Sequence, residues 1–230
     1  MSWAVTYLDD NWLEIAGVVT TVVGIWLTTR RSLACWPIVL ISDVVYLIVF
    51  YRACLYSDAL LQIFFLAFTL YGWWYWWRGV REEGEVRVVR LPLHSMLVGL
   101  AAGAAGSLAL GIWMKHINAA LPYLDATLTS YSLVASWWAV RKHIANWWLW
   151  IAVDVVYIGE YIYKDLRATA ALYAGLVALA ALGVRDWRRA VVGVAQKVSA
   201  VPDRLRTLSA RCALRAIGKG AAHPGRKAAR

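Results

Sequence analysis

Residues 144–163 read IANWWLWIAVDVVYIGEYIY, twenty residues with a carboxylate near the middle. A helix that crosses a bilayer needs about 20 mostly apolar residues, with about 17–25 tolerated, so this stretch has the length of a span. Its DVVY at 154–157 recurs as DVVY at 43–46, inside a second apolar run. Shifting the whole chain by the same 111 residues aligns two halves without a gap. Glu14 meets Asp125, Trp26 meets Trp137, Arg30-Arg31 meets Arg141-Lys142, and Trp36 meets Trp147. Leu61 then meets Leu172, Gly72 meets Gly183, Trp76 meets Trp187 and Arg78 meets Arg189. Self-similarity at a fixed period marks a repeat architecture, and many of the matched residues are too rare or too charged to coincide through shared apolar composition.

Seven spans emerge around that stretch, at 12–29, 32–51, 58–77, 95–115, 124–140, 144–163 and 168–185. The short connections hold most of the charges. Composition agrees: of 230 residues, 61% are hydrophobic and 17% charged, against about 25% charged in an average soluble domain, and mean hydropathy is +0.55. A water-soluble enzyme, a disordered chain and a nucleic-acid binder all fit poorly; the net charge of +10 belongs to loops and a tail. Cys35, Cys54 and Cys212 have neither disulfide-framework nor zinc spacing, and the four histidines, expected in loops or tail, form no metal or catalytic constellation. No cofactor is expected. MSWAVTYLDD lacks the basic start of a cleaved signal peptide. The reading is a polytopic all-α membrane protein with the lipid bilayer as partner.

Orientation follows from Lys and Arg in the loops. One side collects Arg30, Arg31, Arg78, Arg81, Arg87, Arg90, Arg141, Lys142 and the tail; the other has Arg52, Lys115, Lys164 and Arg167. This predicts an outside N-terminus and a cytoplasmic C-terminus. The repeat divides the chain into a three-helix unit at 12–79, a linker helix at 95–115, a second three-helix unit at 123–190 and a basic tail at 191–230. An odd number of helices inverts each copy, and one extra helix restores a parallel arrangement. That 3+1+3 plan resembles transporters of the sugar-carrier SWEET type, which hold substrate near midplane between parallel repeats. The linker helix is rich in Gly and Ala, which lets helices approach closely.

Asp43 and Asp154 fall near the middle of spans 2 and 6. An Asp at a helix centre costs about 2.5–3.5 kcal/mol to insert, so such residues face an interior or a cavity and default to functional candidates. The competing reading is a structural tie to a neighbouring Tyr or Trp. Trp147, Trp150, Asp154, Tyr157 and Tyr161 recur at spacings of three and four, on one helix face, as do Trp36, Asp43, Tyr46 and Phe50. Aromatic walls beside a carboxylate suit a flat cationic ring through stacking and cation–π contact. Trp76, Trp77 and Trp187 read instead as an interfacial aromatic belt. Gln62 suits either helix–helix glue or ligand contact, Asn146 sits near the cytoplasmic entrance, and Glu14 and Asp125 read as charges near helix N-termini.

The stretches LYSDALLQIFFLAFTLYGWWYWWRG (55–79) and LDATLTSYSLVASWWAVRKHIANWWLWIAVDVVYI (124–158) resemble the PnuC family of bacterial vitamin transporters. The likeness lies in L-Q-x-F-F…Y-G-W and in R-K-x-x-x-N-W-x-x-W-x-x-x-[N/D], and extends over nearly all of 12–190. It implies a 3+1+3 fold, one vitamin site between the repeats, facilitated diffusion of nicotinamide riboside with trapping by a cytoplasmic kinase, and a homotrimer in the bacterial inner membrane. It also implies that Trp150 and Asp154 occupy the family's W-x-x-x-N signature, Gln62 its glutamine and Asn146 its entrance asparagine. Asp154 and Asp43 stand where an amide is expected from the resemblance. A carboxylate suits the ring cation of nicotinamide riboside or of thiamine better than neutral riboflavin.

Overall fold

The computed structural model describes residues 2–52, 56–116, 121–163, 165 and 167–199, and these form seven α-helices. They are α1 (Ser2–Thr29), α2 (Cys35–Arg52), α3 (Tyr56–Glu83), α4 (Leu93–His116), α5 (Pro122–Val140), α6 (Ala145–Tyr163) and α7 (Arg167–Ser199). Met1–Ala190 make one compact unit and Val191–Arg230 a second. Cys54, Cys212, Lys164, His223 and the tail from residue 200 lie outside the described residues. Five helices contain windows long and apolar enough to cross a membrane: Trp12–Thr29, Cys35–Arg52, Ala59–Glu82, Leu93–His116 and Thr169–Val192. Helices α5 and α6 have 19 residues each, about 28 Å at 1.5 Å per residue. Asn146, Asp154, Glu160 and six Trp and Tyr lower the hydropathy of α6, and the buried side of α5 includes Ser130 and Ser132.

Three boundaries differ from the expected spans. Helix α1 begins at Ser2 rather than near 12, so Glu14 lies inside it and not in its first turn; Asp125 does occupy the first turn of α5. Helix α3 runs on to Glu83 and α7 to Ser199, because the basic residues past each apolar run are good helix formers. His94 and His116 stand at the two ends of α4 rather than in loops, and His143 lies between α5 and α6.

The ends of α1 and α5, 111 residues apart in sequence, have the same local structure. Helix α1 ends with Ser32 N–H donating to Leu27 O (3.1 Å) and Arg31 N–H to Thr28 O (3.0 Å). Helix α5 ends with His143 N–H donating to Trp138 O (2.8 Å) and Lys142 N–H to Ala139 O (2.9 Å). Both are Schellman caps, which need a left-handed residue after the helix. Arg31 (φ 57°) and Lys142 (φ 62°) supply it, where glycine is usual. A cation there also faces the negative end of the helix dipole.

The tryptophans organise the core at the same, arginine-rich end. Trp36 meets Trp76 edge-on (5.2 Å, 84°), and Trp147 meets Trp187 likewise (5.4 Å, 89°); Trp76 and Trp187 approach each other at 6.0 Å. Each inner indole reaches into the other half. Trp76 Nε1 donates to Val140 O on α5 (2.9 Å), and Trp187 Nε1 to Thr28 O on α1 (3.1 Å). These carbonyls belong to last helical turns, where intrahelical partners run out. Trp76 and Trp187, expected in an interfacial belt, are therefore core residues with 0% exposure: their N–H groups find partners inside the protein, which removes the reason to stay at the headgroups. Trp77 is exposed, as a belt residue would be.

Gly72 and Gly183 let α3 and α7 lie against the Trp36 and Trp147 rings; a Cβ at either position would overlap the ring. Gly72→Ala and Gly183→Ala are each expected to destabilise the protein by about 1–3 kcal/mol, read as a lower midpoint of thermal unfolding in detergent.

After α3, Gly84 (φ 78°) turns the chain into a short strap. Val86 is buried, and Val89 pairs with the α5–α6 loop through Val89 N–H to Lys142 O (3.0 Å) and Ile144 N–H to Val89 O (3.1 Å). His143 sits in that pairing with its pKa lowered, first by burial and then by the Arg141 charge. A folded pKa below the unfolded value means that His143 contributes stability above about pH 6.5, lost as pH falls through the folded value. Hydrogen exchange at the Val89 and Ile144 amides, corrected for intrinsic rate, is expected to show easier opening below that pH.

Helix α4 packs on α5 through small residues: Gly99 faces Trp138, Gly103 faces Tyr131 and Gly111 faces Tyr123. Tyr131 Oη donates to Leu100 O (3.2 Å).

Candidate functional site

Two buried carboxylates lie on helices of the two halves. Asp43 on α2 and Asp154 on α6 are both buried, yet their surroundings differ. Thr69 on α3 donates to Asp43 Oδ2 at 2.7 Å. The residue 111 positions after Thr69 is Ala180, and among the described residues nothing hydrogen-bonds Asp154. Among the described residues neither aspartate is tied to a Tyr or Trp, the structural alternative read from the sequence; Asp43 is tied to α3 through Thr69 instead, and Asp154 has no such tie. Next to Asp43, Ser42 hydrogen-bonds Thr21 Oγ1 (2.6 Å) and Gly17 O on α1, so α2 is held on two sides.

The tyrosines and Phe50 of the two expected faces meet towards the end of the bundle that holds Arg52 and Arg167, away from the tryptophan cluster. Tyr46 stacks with Phe50 (5.8 Å, 24°), and Tyr157 stacks with Tyr161 (5.8 Å, 16°). Tyr173 of α7 joins the second pair at 4.9 Å from Tyr157 and 5.1 Å from Tyr161. Tyr173 was not among the expected site residues. Its position 111 after Gln62 was the available signal: one half presents an amide where the other presents a phenol. Gln62 is half-buried, seven residues before Thr69, and so lies on the same α3 face.

At the arginine-rich end, four buried polar atoms have no hydrogen-bond partner among the described residues: Trp36 Nε1, Trp147 Nε1, Asn146 Oδ1 and His143 Nδ1. Asn146 Nδ2 donates to His143 O (2.6 Å), which fixes the amide and leaves its carbonyl over. Trp36 and Trp147 are packed into the tryptophan cluster rather than standing along an open wall. Trp150 is half-buried at the cluster's edge, one helical turn from both Asn146 and Asp154. Helix α6 therefore presents an amide oxygen, an indole, a carboxylate and a phenol along one side. No group of three or more His, Cys, Asp or Glu that could hold a metal occurs among the described residues.

Apolar helices of spanning length around buried, partly unsatisfied polar groups define a multi-pass membrane protein built to handle a polar solute. The chain belongs to the nicotinamide mononucleotide transporter family, whose model matches residues 11–189. It is a transporter, in keeping with its family, and not an enzyme. It is 26% identical over 205 residues to the nicotinamide riboside transporter PnuC of Escherichia coli (strain K12), covering 78% of this chain and 86% of that one. It is 28% identical over 180 residues to the riboflavin/roseoflavin transporter RibM of Streptomyces davaonensis, covering 76% and 84%. The crystal structure of the vitamin B3 transporter PnuC has the same fold, with a TM-score of 0.67 at 22% identity over 83% of this chain and 86% of that one.

Proposed function

We propose that the chain takes up a B vitamin with a cationic ring, nicotinamide riboside first, across the bacterial inner membrane. The carrying observation is Asp154: a buried carboxylate with no hydrogen-bond partner among the described residues, beside Trp150 and the tyrosines of α6 and α7. Inserting a lone charge is expensive, and a cationic ligand offsets that cost. In this reading Asp154 pairs with the ring cation, while Trp150, Tyr157 and Tyr46 stack on or clamp it. Gln62 and Asn146 hydrogen-bond the ribose or amide, Asp43 faces the cavity from the other half, and Trp36 and Trp147 close its arginine-rich end from within the tryptophan cluster.

The architecture that goes with it is a 3+1+3 parallel repeat of SWEET type: 12–79 and 123–190 as repeats, 95–115 as linker. Support comes from the matched caps, tryptophan pairs and glycine contacts 111 residues apart. Rocking of the two repeats exposes the midplane site to each side in turn. Transport is facilitated diffusion, and phosphorylation of the vitamin inside the cell traps it. The N-terminus lies outside, and the C-terminus with the basic tail 191–230 lies in the cytoplasm, where Lys and Arg concentrate. The assembly is a homotrimer.

Two other substrates follow from specific observations. Thiamine also carries a ring cation, and the likeness to RibM favours riboflavin. Calorimetry on the purified protein with all three separates them. The proposal expects nicotinamide riboside to bind and riboflavin not to. Binding of thiamine alone keeps the mechanism and changes the vitamin; binding of riboflavin alone removes the role assigned to Asp154.

A further inference from the structure

A groove of about 650 Å³ lies away from both aspartates, between α4 and α5 with Phe68 of α3 at its side. Its walls are apolar and small: Val98, Ala102, Gly106, Leu110, Leu133 and Val134. Its polar groups gather at the arginine-rich end, where Arg141, His94, Ser95 and His143 line the mouth, and no acidic residue lines it. Arg141 is held there by two rings, 4.9 Å from the Tyr75 centroid and 5.8 Å from that of Trp137. Among the described residues no carboxylate pairs with it. Deeper in the groove, Ser130 Oγ has no partner although the residue is only 5% exposed, and His143 Nδ1 is likewise unpaired.

The neighbouring α4 residues Leu97, Val98, Leu108 and Ile112 are more than half exposed, so the groove opens on a face that meets lipid. From His94 to Leu110 the helix rises about 24 Å, close to one leaflet with its headgroups, about 20–22 Å. We propose that this groove binds one anionic phospholipid. An acyl chain lies along the small residues, and the phosphate sits against the Arg141 guanidinium, whose free N–H fork matches phosphate geometry. The His143 Nδ1, unpaired among the described residues at the mouth, serves the glycerol region. The site is separate from the vitamin cavity and does not depend on which vitamin is carried.

The test is native mass spectrometry of the full-length protein in detergent, with added phosphatidylglycerol or phosphatidylcholine of identical chains. Wild type is expected to retain phosphatidylglycerol about fivefold better, the factor that one basic group near a lipid surface supplies. Arg141→Gln should equalise the two lipids. Ala102→Phe, which fills an exposed position in the groove floor, should lose both. Equal retention by wild type overturns the proposal, whatever the variants do. So does Ala102→Phe retaining lipid like wild type, or converting an oligomer to monomers, since the face would then be covered by a second copy of the chain.

Discussion

Asp154→Ala is expected to weaken binding of nicotinamide riboside roughly 30-fold or more, since removing one partner of a buried charge contact costs about 2–5 kcal/mol. Its effect on folding should be small or favourable, because a buried carboxylate with no hydrogen-bond partner among the described residues is removed. Asp43→Ala should behave differently. It strands the Thr69 hydroxyl, which donates to Asp43 Oδ2 at 2.7 Å, and breaks a tie between α2 and α3, at a cost in stability of about 1–3 kcal/mol. Calorimetric affinity and thermal midpoint, measured on both variants, separate a ligand contact from a helix tie. Equal loss of stability in both would return Asp154 to a structural role.

The second large effect belongs to the tryptophan cluster. Trp76→Phe keeps an aromatic ring but deletes the N–H that donates to Val140 O, and should cost about 1–3 kcal/mol. Trp187→Phe removes one of two donors to Thr28 O, which keeps the Arg31 N–H, and should cost about 0.5–1.5 kcal/mol. The rings of Trp76 and Trp187 touch at 6.0 Å, so the double variant is not expected to equal the sum. Alanine at either position should cost about 3–5 kcal/mol. Chemical or thermal unfolding in detergent checks the series. A neutral Trp187→Phe would mean that the indole bond between the halves contributes nothing.

Much of this was legible in the chain before any coordinates. The seven apolar runs follow from length and composition, and the spacing of Tyr46 with Phe50 and Tyr157 with Tyr161 anticipated both stacked pairs. The residue matches 111 apart include Arg31 and Lys142, which each follow a helix in the left-handed region. What escaped reading was decided by contacts between distant segments. Trp76 and Trp187 sit among other tryptophans beside arginines, the composition of an interfacial belt; only the partner carbonyls on α5 and α1 make burial favourable. The division of labour between the aspartates was also hidden, because identical DVVY motifs carry no information about Thr69 and Ala180 on the helices that face them. The 111-residue alignment itself held that clue, in a position where the halves disagree.

The most direct measurement of the central claim is counterflow of labelled nicotinamide riboside in proteoliposomes preloaded with unlabelled substrate. Wild type is predicted to accumulate label with no dependence on a pH gradient, and Asp154→Ala to fall to the rate of empty liposomes. A wild type that exchanges no nicotinamide riboside, or an Asp154→Ala variant that exchanges it at the wild-type rate, would contradict the account.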